Sequence, residues 1–201
     1  MSDEGMNRTR RQLVALTSAV GAVGAGFAAV PFVQSWMPSE RARAAGAPVE
    51  VDISKLEAGQ MMTVEWRSKP VWILRRTPEM MAGLEKLTDV VADPESQAAD
   101  QPGYITGAAR SIKSEYLVLI GICTHLGCSP QTPIQPGAVA AFALGDDWPG
   151  GFFCPCHGSK FDLAGRVYKN VPAPTNLPVP PHRYVSDTRI LIGVDQNSDT
   201  A

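Results

Sequence analysis

Two short boxes constrain this chain more than any other feature. "GICTHLGCSP" runs from Gly121 to Pro130, and "GFFCPCHGSK" from Gly151 to Lys160. Together they hold all four cysteines of the chain and two of its three histidines. Box one reads Cys123-x-His125-x-x-Cys128, and box two reads Cys154-x-Cys156-His157. A structural zinc site usually takes paired cysteines from one element and paired histidines from another. Here each box supplies one cysteine and one histidine in matching roles, Cys123 with His125 and Cys154 with His157. Cys128 and Cys156 are left over, one per box, and a zinc site does not explain them. A fold that uses both boxes must bring two distant loops to one point.

The other end of the chain is apolar. No charged residue occurs from Gln12 to Ser39. Roughly 20 apolar residues cross a bilayer as a helix, and a secretory apolar core is shorter, about 7–15 residues. Residues 12–36 are therefore expected to form a retained transmembrane anchor rather than a cleaved leader. Gly21, Gly24 and Gly26 suit close packing against other membrane helices. Before it stands "TRRQLV", with Arg10 and Arg11 as a pair. This start is similar to a twin-arginine export signal, the kind that addresses proteins exported already folded. Arg8, Arg10 and Arg11 also read as positive-inside charges. Both readings put residues 1–11 in the cytoplasm. The net charge of −2 gives no basic face for nucleic acid.

Residues 37–48, with Pro38 and Pro48 and many alanines, read as a flexible hinge, and their composition does not decide between short helix and coil. Residues 49–201 read as a largely β head. Strand-like content falls at 49–53, 60–66, 70–76, 116–121, 138–144, 150–154 and 189–194, between turn residues. "TPEMMAGLEKL" (77–87) is the best helix, with Thr77 able to cap it and Pro78 in its first turn. His182, outside both boxes, reads as an ordinary loop residue.

Two cysteines and two histidines from twin loops suit a [2Fe–2S] cluster in which two imidazoles replace two thiolates on one iron. "CTHLGC" and "CPCHGS" resemble the two cluster-binding boxes of the Rieske proteins of cytochrome bc1 complexes. The resemblance extends to the twin-arginine start, the single anchor, the small-residue tether, the β head and the proline-rich "VPAPTNLPVPP" (171–181). It implies an all-β fold: an antiparallel β-sandwich head with a small cluster-binding part at about 122–175, behind one transmembrane helix. It implies one [2Fe–2S] cluster per subunit. Cys123 and Cys154 would hold the inner iron, and His125 and His157 the outer iron through Nδ1. Cys128 and Cys156 would close a disulfide between the loops. Leu126 would shield the cluster, "PAP" (172–174) would cover its other side, and the Ser159 hydroxyl would bond a bridging sulfide.

The function that follows from the resemblance is that of an enzyme subunit in a bacterial inner membrane, its head periplasmic. The cluster would take an electron and a proton from quinol at cytochrome b, with His157 the first candidate for the quinol contact and His125 the second. The head would then pass the electron to cytochrome c1, within a complex expected to be dimeric. The alternative is the iron–sulfur subunit of another exported Rieske oxidoreductase, such as arsenite oxidase. Imidazoles are neutral where thiolates are anionic, so mixed ligation gives a higher potential than all-cysteine ligation. Phe161 marks a departure, because many high-potential relatives place there a tyrosine whose hydroxyl bonds a ligand sulfur.

Overall fold

The computed structural model describes residues 3–132, 134–135 and 148–196. Two compact units result, 1–44 and 45–201. The first holds the helix α1, Asp3–Gln34. Its stretch Asn7–Gln34 is long and apolar enough to cross a membrane, with a mean hydropathy of 2.0 and none of it buried. The helix starts ahead of the uncharged run and carries Arg8, Arg10 and Arg11 on its early turns. Where composition left helix and coil open, the chain forms a short helix, α2 (Glu40–Ala45). The Ser39 hydroxyl accepts from the Ala42 amide at its start.

The second unit is built from antiparallel strands. The edge strand β1 (Val49–Asp52) pairs with β8 (Arg189–Ile192), and β8 pairs with β7 (His182–Ser186). A second sheet joins β2 (Met61–Trp66), β3 (Lys69–Arg75) and β4 (Tyr116–Ile120). A hairpin of β5 (Phe152–Cys154) and β6 (Ser159–Phe161) completes the set. The expected strands at 49–53, 60–66, 70–76, 116–121, 150–154 and 189–194 are all present within a residue or two at either end. The one expected at 138–144 lies outside the described residues.

Two strands escaped the sequence reading. β6 is only three residues long, and β7 follows a proline-rich run that masks its alternation. His182 is therefore corrected: it is a buried strand residue, not a loop residue. Its Nδ1 lies 2.9 Å from the Pro180 carbonyl, and its backbone N–H and C=O both bond the Tyr104 hydroxyl at 3.0 Å. Burial lowers its pKa, so the imidazole stays neutral.

The sheet β2–β3–β4 is the middle layer of the head. Val71 and Ile73 on β3, with Val118 on β4, face a core shared with Val51, Ile190 and Ile192 of the first sheet. Trp72 and Leu74, with Leu117 and Leu119, face a second core that contains Cys123, Cys154, Phe152 and Phe161. Side chains alternate along a strand, so covering both faces needs an unbroken apolar run. "VWIL" and "LVLI" are those runs. The helix α3 (Pro78–Lys86) begins as expected, with the Thr77 hydroxyl accepting from the Met80 amide, and buries Met80 and Leu84.

Phe152 stacks on Trp72, ring centroids 5.0 Å apart, and so docks the hairpin on the middle sheet. At the end of β4, a Cβ on Gly121 would stand 2.2 Å from the Trp72 ring. Only glycine lets the backbone enter box one past that indole.

Leu119 is fully buried in the second core, while Leu126 is exposed. Leu119→Ala should cost about 2–5 kcal/mol in urea unfolding of the solubilised chain, through lost transfer energy and a cavity. Leu126→Ala should stay within about 0.5 kcal/mol, as exposed substitutions do.

Candidate metal centre

Both boxes are built as one turn closed by a glycine. In box one the Gly127 amide donates to the Cys123 carbonyl at 3.0 Å; in box two the Gly158 amide donates to the Cys154 carbonyl at 2.9 Å. Both glycines have left-handed backbone, φ 84° and 78°, where a side chain costs roughly 1–2 kcal/mol. The glycine four residues after each first cysteine was the sequence signal for this twin geometry, and sequence reasoning passed over it.

The boxes are tied to each other. Cys128 and Cys156 form a disulfide that spans 28 residues. The Gln131 and Phe153 backbones exchange two hydrogen bonds, of 2.7 and 2.9 Å, which align box one beside β5. The proline-rich segment is pinned to both boxes. The Thr124 hydroxyl donates to the Thr175 carbonyl at 2.7 Å, and the Ala173 amide donates to the Ser159 hydroxyl at 3.1 Å. Asn176 anchors that segment from behind, its side chain accepting from Val167 N–H and donating to the Asp93 carbonyl and the Ser96 hydroxyl. Thr124 and Asn176 were not singled out by the sequence, because their roles depend on partners 51 and 80 residues away.

The remaining donors gather between these loops. Cys123 and Cys154 are free thiols, each 2% exposed. Burial pushes the Cys123 thiol up, and the adjacent Cys154 thiol adds to the rise. The His125 backbone N–H and the Ser159 hydroxyl oppose it by donating to the Cys123 sulfur. The His125 and His157 rings meet edge to face, centroids 4.7 Å apart. His157 is exposed, whereas Nδ1 of His125 is buried without a hydrogen-bond partner.

These observations fit a metal cluster. Two buried sulfurs side by side are poor places for negative charge unless a cation stands against them. A buried imidazole nitrogen with no partner has a lone pair to give. The sulfurs of Cys128, Cys154 and Cys156 also lie within 4.8 Å of one another. Two of these are bonded to each other and are not free thiolates, so the trio is no ligand set; it shows the disulfide lying against the Cys154 sulfur.

The register of the hairpin sets the surroundings. Cys154 stands opposite Ser159, and Phe152 opposite Phe161. Alternation puts all four on one face, and all four are buried. Leu126, by contrast, is 72% exposed at the tip of box one. In the proline segment Ala173 is buried, while Pro172 and Pro174 are exposed.

The "Rieske [2Fe-2S] domain" profile matches residues 48–181, the whole of this site included. The chain belongs to the Rieske family. Within that family it groups with the ubiquinol–cytochrome c reductase iron–sulfur subunits. The subunit of that name from Allochromatium vinosum is 61% identical over 199 residues, covering 98% of this chain and 95% of the relative. The one from Blastochloris viridis is 43% identical over 198 residues, covering 96% and 97%. Residues 1–39 match the profile "Ubiquitinol-cytochrome C reductase Fe-S subunit TAT signal". Among solved structures, a chain of "Hyperthermophilic respiratory Complex III" aligns at 25% identity and a TM-score of 0.47, covering 88% of this chain and 96% of that one.

The disulfide bears on the Rieske site more than on the fold. A bridge of this kind contributes roughly 2–4 kcal/mol in general, and here it ties two loops that the hairpin and the middle sheet already support. Cys128→Ser should lose its iron on a thermal ramp at a temperature where far-UV circular dichroism still reports the β fold. Both thiols found free in mass spectrometry of the unreduced protein would count against the clamp.

Proposed function

We propose that this chain is the electron carrier of a quinol–cytochrome c oxidoreductase, moving one electron from quinol at cytochrome b to the haem of cytochrome c1. The observation that carries the reading is the pair of buried free thiols beside two edge-on imidazoles, in a chain similar over nearly its whole length to subunits of that name. Cys123 and Cys154 would hold one iron of the cluster, and His125 and His157 the other. When bound, the cluster supplies a one-electron couple at a potential raised by its neutral imidazole ligands. Exposed His157 is the group placed to meet quinol, with His125 more enclosed behind it. A bound cluster would acidify the N–H of an imidazole that held it, so His157 would be the group to hold or take up a proton at its outward ring nitrogen. Leu126, exposed beside His125, gives the tip an apolar surface that keeps water from the ligand edge. Ser159 donates to the Cys123 sulfur, and the Ala173 amide fixes its oxygen.

The rest of the chain serves that transfer. Residues 1–11 form a cytoplasmic tail, 12–36 cross the bacterial inner membrane, and 37–48 are the hinge. The head, 49–201, is periplasmic, with its cluster-binding part at about 122–175. The export signal and the disulfide support this side of the membrane, since disulfides persist outside the reducing cytoplasm. Hinged movement lets one cluster serve both partners in turn. The whole complex, a dimer, translocates protons by releasing those of quinol on the outer side.

Iron and sulfide should be found at two each per chain. The dithionite-reduced protein should give a rhombic low-temperature EPR signal of a mixed-ligand [2Fe–2S] centre. Stoichiometric zinc in place of iron would overturn the reading.

Phe161 shares the buried face of Ser159 but offers no donor. A hydrogen bond to a charged acceptor favours the reduced cluster by a differential of about 1–1.5 kcal/mol, near 40–60 mV for one electron at about 59 mV per tenfold. Redox titration of Phe161→Tyr should show a midpoint raised by tens of millivolts, and Ser159→Ala a lowered one. A midpoint unmoved within about 10 mV in Phe161→Tyr, with its hydroxyl in bonding position, would contradict this account.

A further inference from the structure

Behind the two boxes lies a group of buried ions that the ligand set does not use. Arg76, Arg110 and Arg166 are at most 1% exposed, and Asp162 is fully buried. Asp162 accepts from Arg166 Nε at 2.7 Å and from the backbone amides of Ala164 and Arg166. The other two guanidiniums donate to neutral acceptors. Arg76 donates to the carbonyls of Ala109, Ser114 and Leu163 and to the Ser111 hydroxyl. Arg110 donates to the Gln101 side chain and to the carbonyls of Ala164 and Leu177. Burial lowers both pKa values only to about 10, so both side chains remain protonated at neutral pH. Among the described residues, three fully buried guanidiniums thus share one fully buried carboxylate; the half-buried Asp93 also attracts Arg110, so the cationic surplus is clearest at Arg76.

The surplus is wired to the metal centre. The turn Asp162–Arg166 directly follows β6, whose Ser159 touches the Cys123 sulfur. Leu163 and Ala164, whose carbonyls the two arginines hold, belong to the same core as Cys123, Cys154 and Phe161. From Ser159 to Ala164 an extended chain reaches at most about 18 Å, and the turn shortens it. The intervening matter is packed side chain, so salt does not screen a field across it as it does between exposed charges. Burying cations without anions is unfavourable in itself. Neutral donors could satisfy the same carbonyls; what a guanidinium adds is charge.

We infer that Arg76 and Arg110, together with the Arg166–Asp162 pair, form a fixed positive charge that sets the cluster's midpoint potential by favouring its reduced form. The inference rests on the ligand reading above. With two ferric irons, two sulfides and two thiolate ligands the oxidised centre is neutral, and one added electron leaves it singly negative. The arginines attract only the second state, so they raise the potential and strengthen the cluster as an acceptor. They act through space on the centre and touch neither quinol nor the ligands.

The test compares charge removal with charge retention in the full-length protein carrying its cluster. Arg76→Gln and Arg76→Lys are titrated by EPR, with iron content and melting temperature measured alongside. Arg76→Gln should lower the equilibrium constant for reduction about three- to tenfold, which is about 28–59 mV. Arg76→Lys should stay within about 1.5-fold of wild type, near 10 mV. The difference should persist from low to high salt. A Gln variant with wild-type midpoint and lowered melting temperature would overturn the inference, leaving the arginine as a staple of the turn. An equal fall in the Gln and Lys variants would overturn it too, because geometry rather than charge would then be the cause. If Arg76→Gln binds no iron, Arg110→Gln against Arg110→Lys is read by the same criteria. Zinc in place of iron in the wild type would overturn the ligand reading itself, an outcome distinct from any midpoint.

Discussion

The stacking of Phe152 on Trp72 determines where box two stands relative to box one. Trp72 lies in the middle strand of the middle sheet, and box one leaves the neighbouring strand past that same indole, through Gly121. One side chain thus registers both loops. Phe152 is two residues from Cys154 on the same face of its hairpin, so docking the phenylalanine also aims the thiol. The middle sheet can serve as this platform because both of its faces are buried, each against a different core. Its shape is set by packing density on two sides, which leaves little room for a neighbour to shift.

Around that contact the loops are held by covalent and hydrogen-bonded links in addition to the apolar core. The disulfide, the Gln131–Phe153 backbone pair, and the Thr124 and Ser159 links to the proline segment all join one loop to another. Directional bonds suit the task. A cluster needs donors held to fractions of an ångström, and hydrogen bonds and disulfides restrict angle as well as distance. The price is a set of buried polar groups that must all be satisfied, and Asn176, Asp162 and the three arginines meet most of that demand.

The head therefore separates two tasks. Its apolar cores and the links between its loops together place the two free thiols and the two imidazoles, while its buried ions and sulfur-directed donors set the electrostatic environment around them. The exposed tip, with His157 and Leu126, is left free to meet other surfaces.

Much of this was legible in the residues. The four free donors, the leftover cysteine pair and the unbroken apolar runs of the middle sheet are local patterns, and local patterns carry spacing and alternation directly. The helix α3 was legible for the same reason, since its cap and first-turn proline are adjacent to the segment they start. What only the tertiary structure decided is long-range. His182 became a buried strand residue because Tyr104, far away in sequence, claims both of its backbone groups. Arg76, Arg110 and Arg166 became interior charges because carbonyls at Leu163, at Ala164 and Leu177, and at Leu84, respectively, face them across the fold. A charge's sign is written in the sequence; its burial depends on which distant backbone groups fold against it, and no local pattern records that.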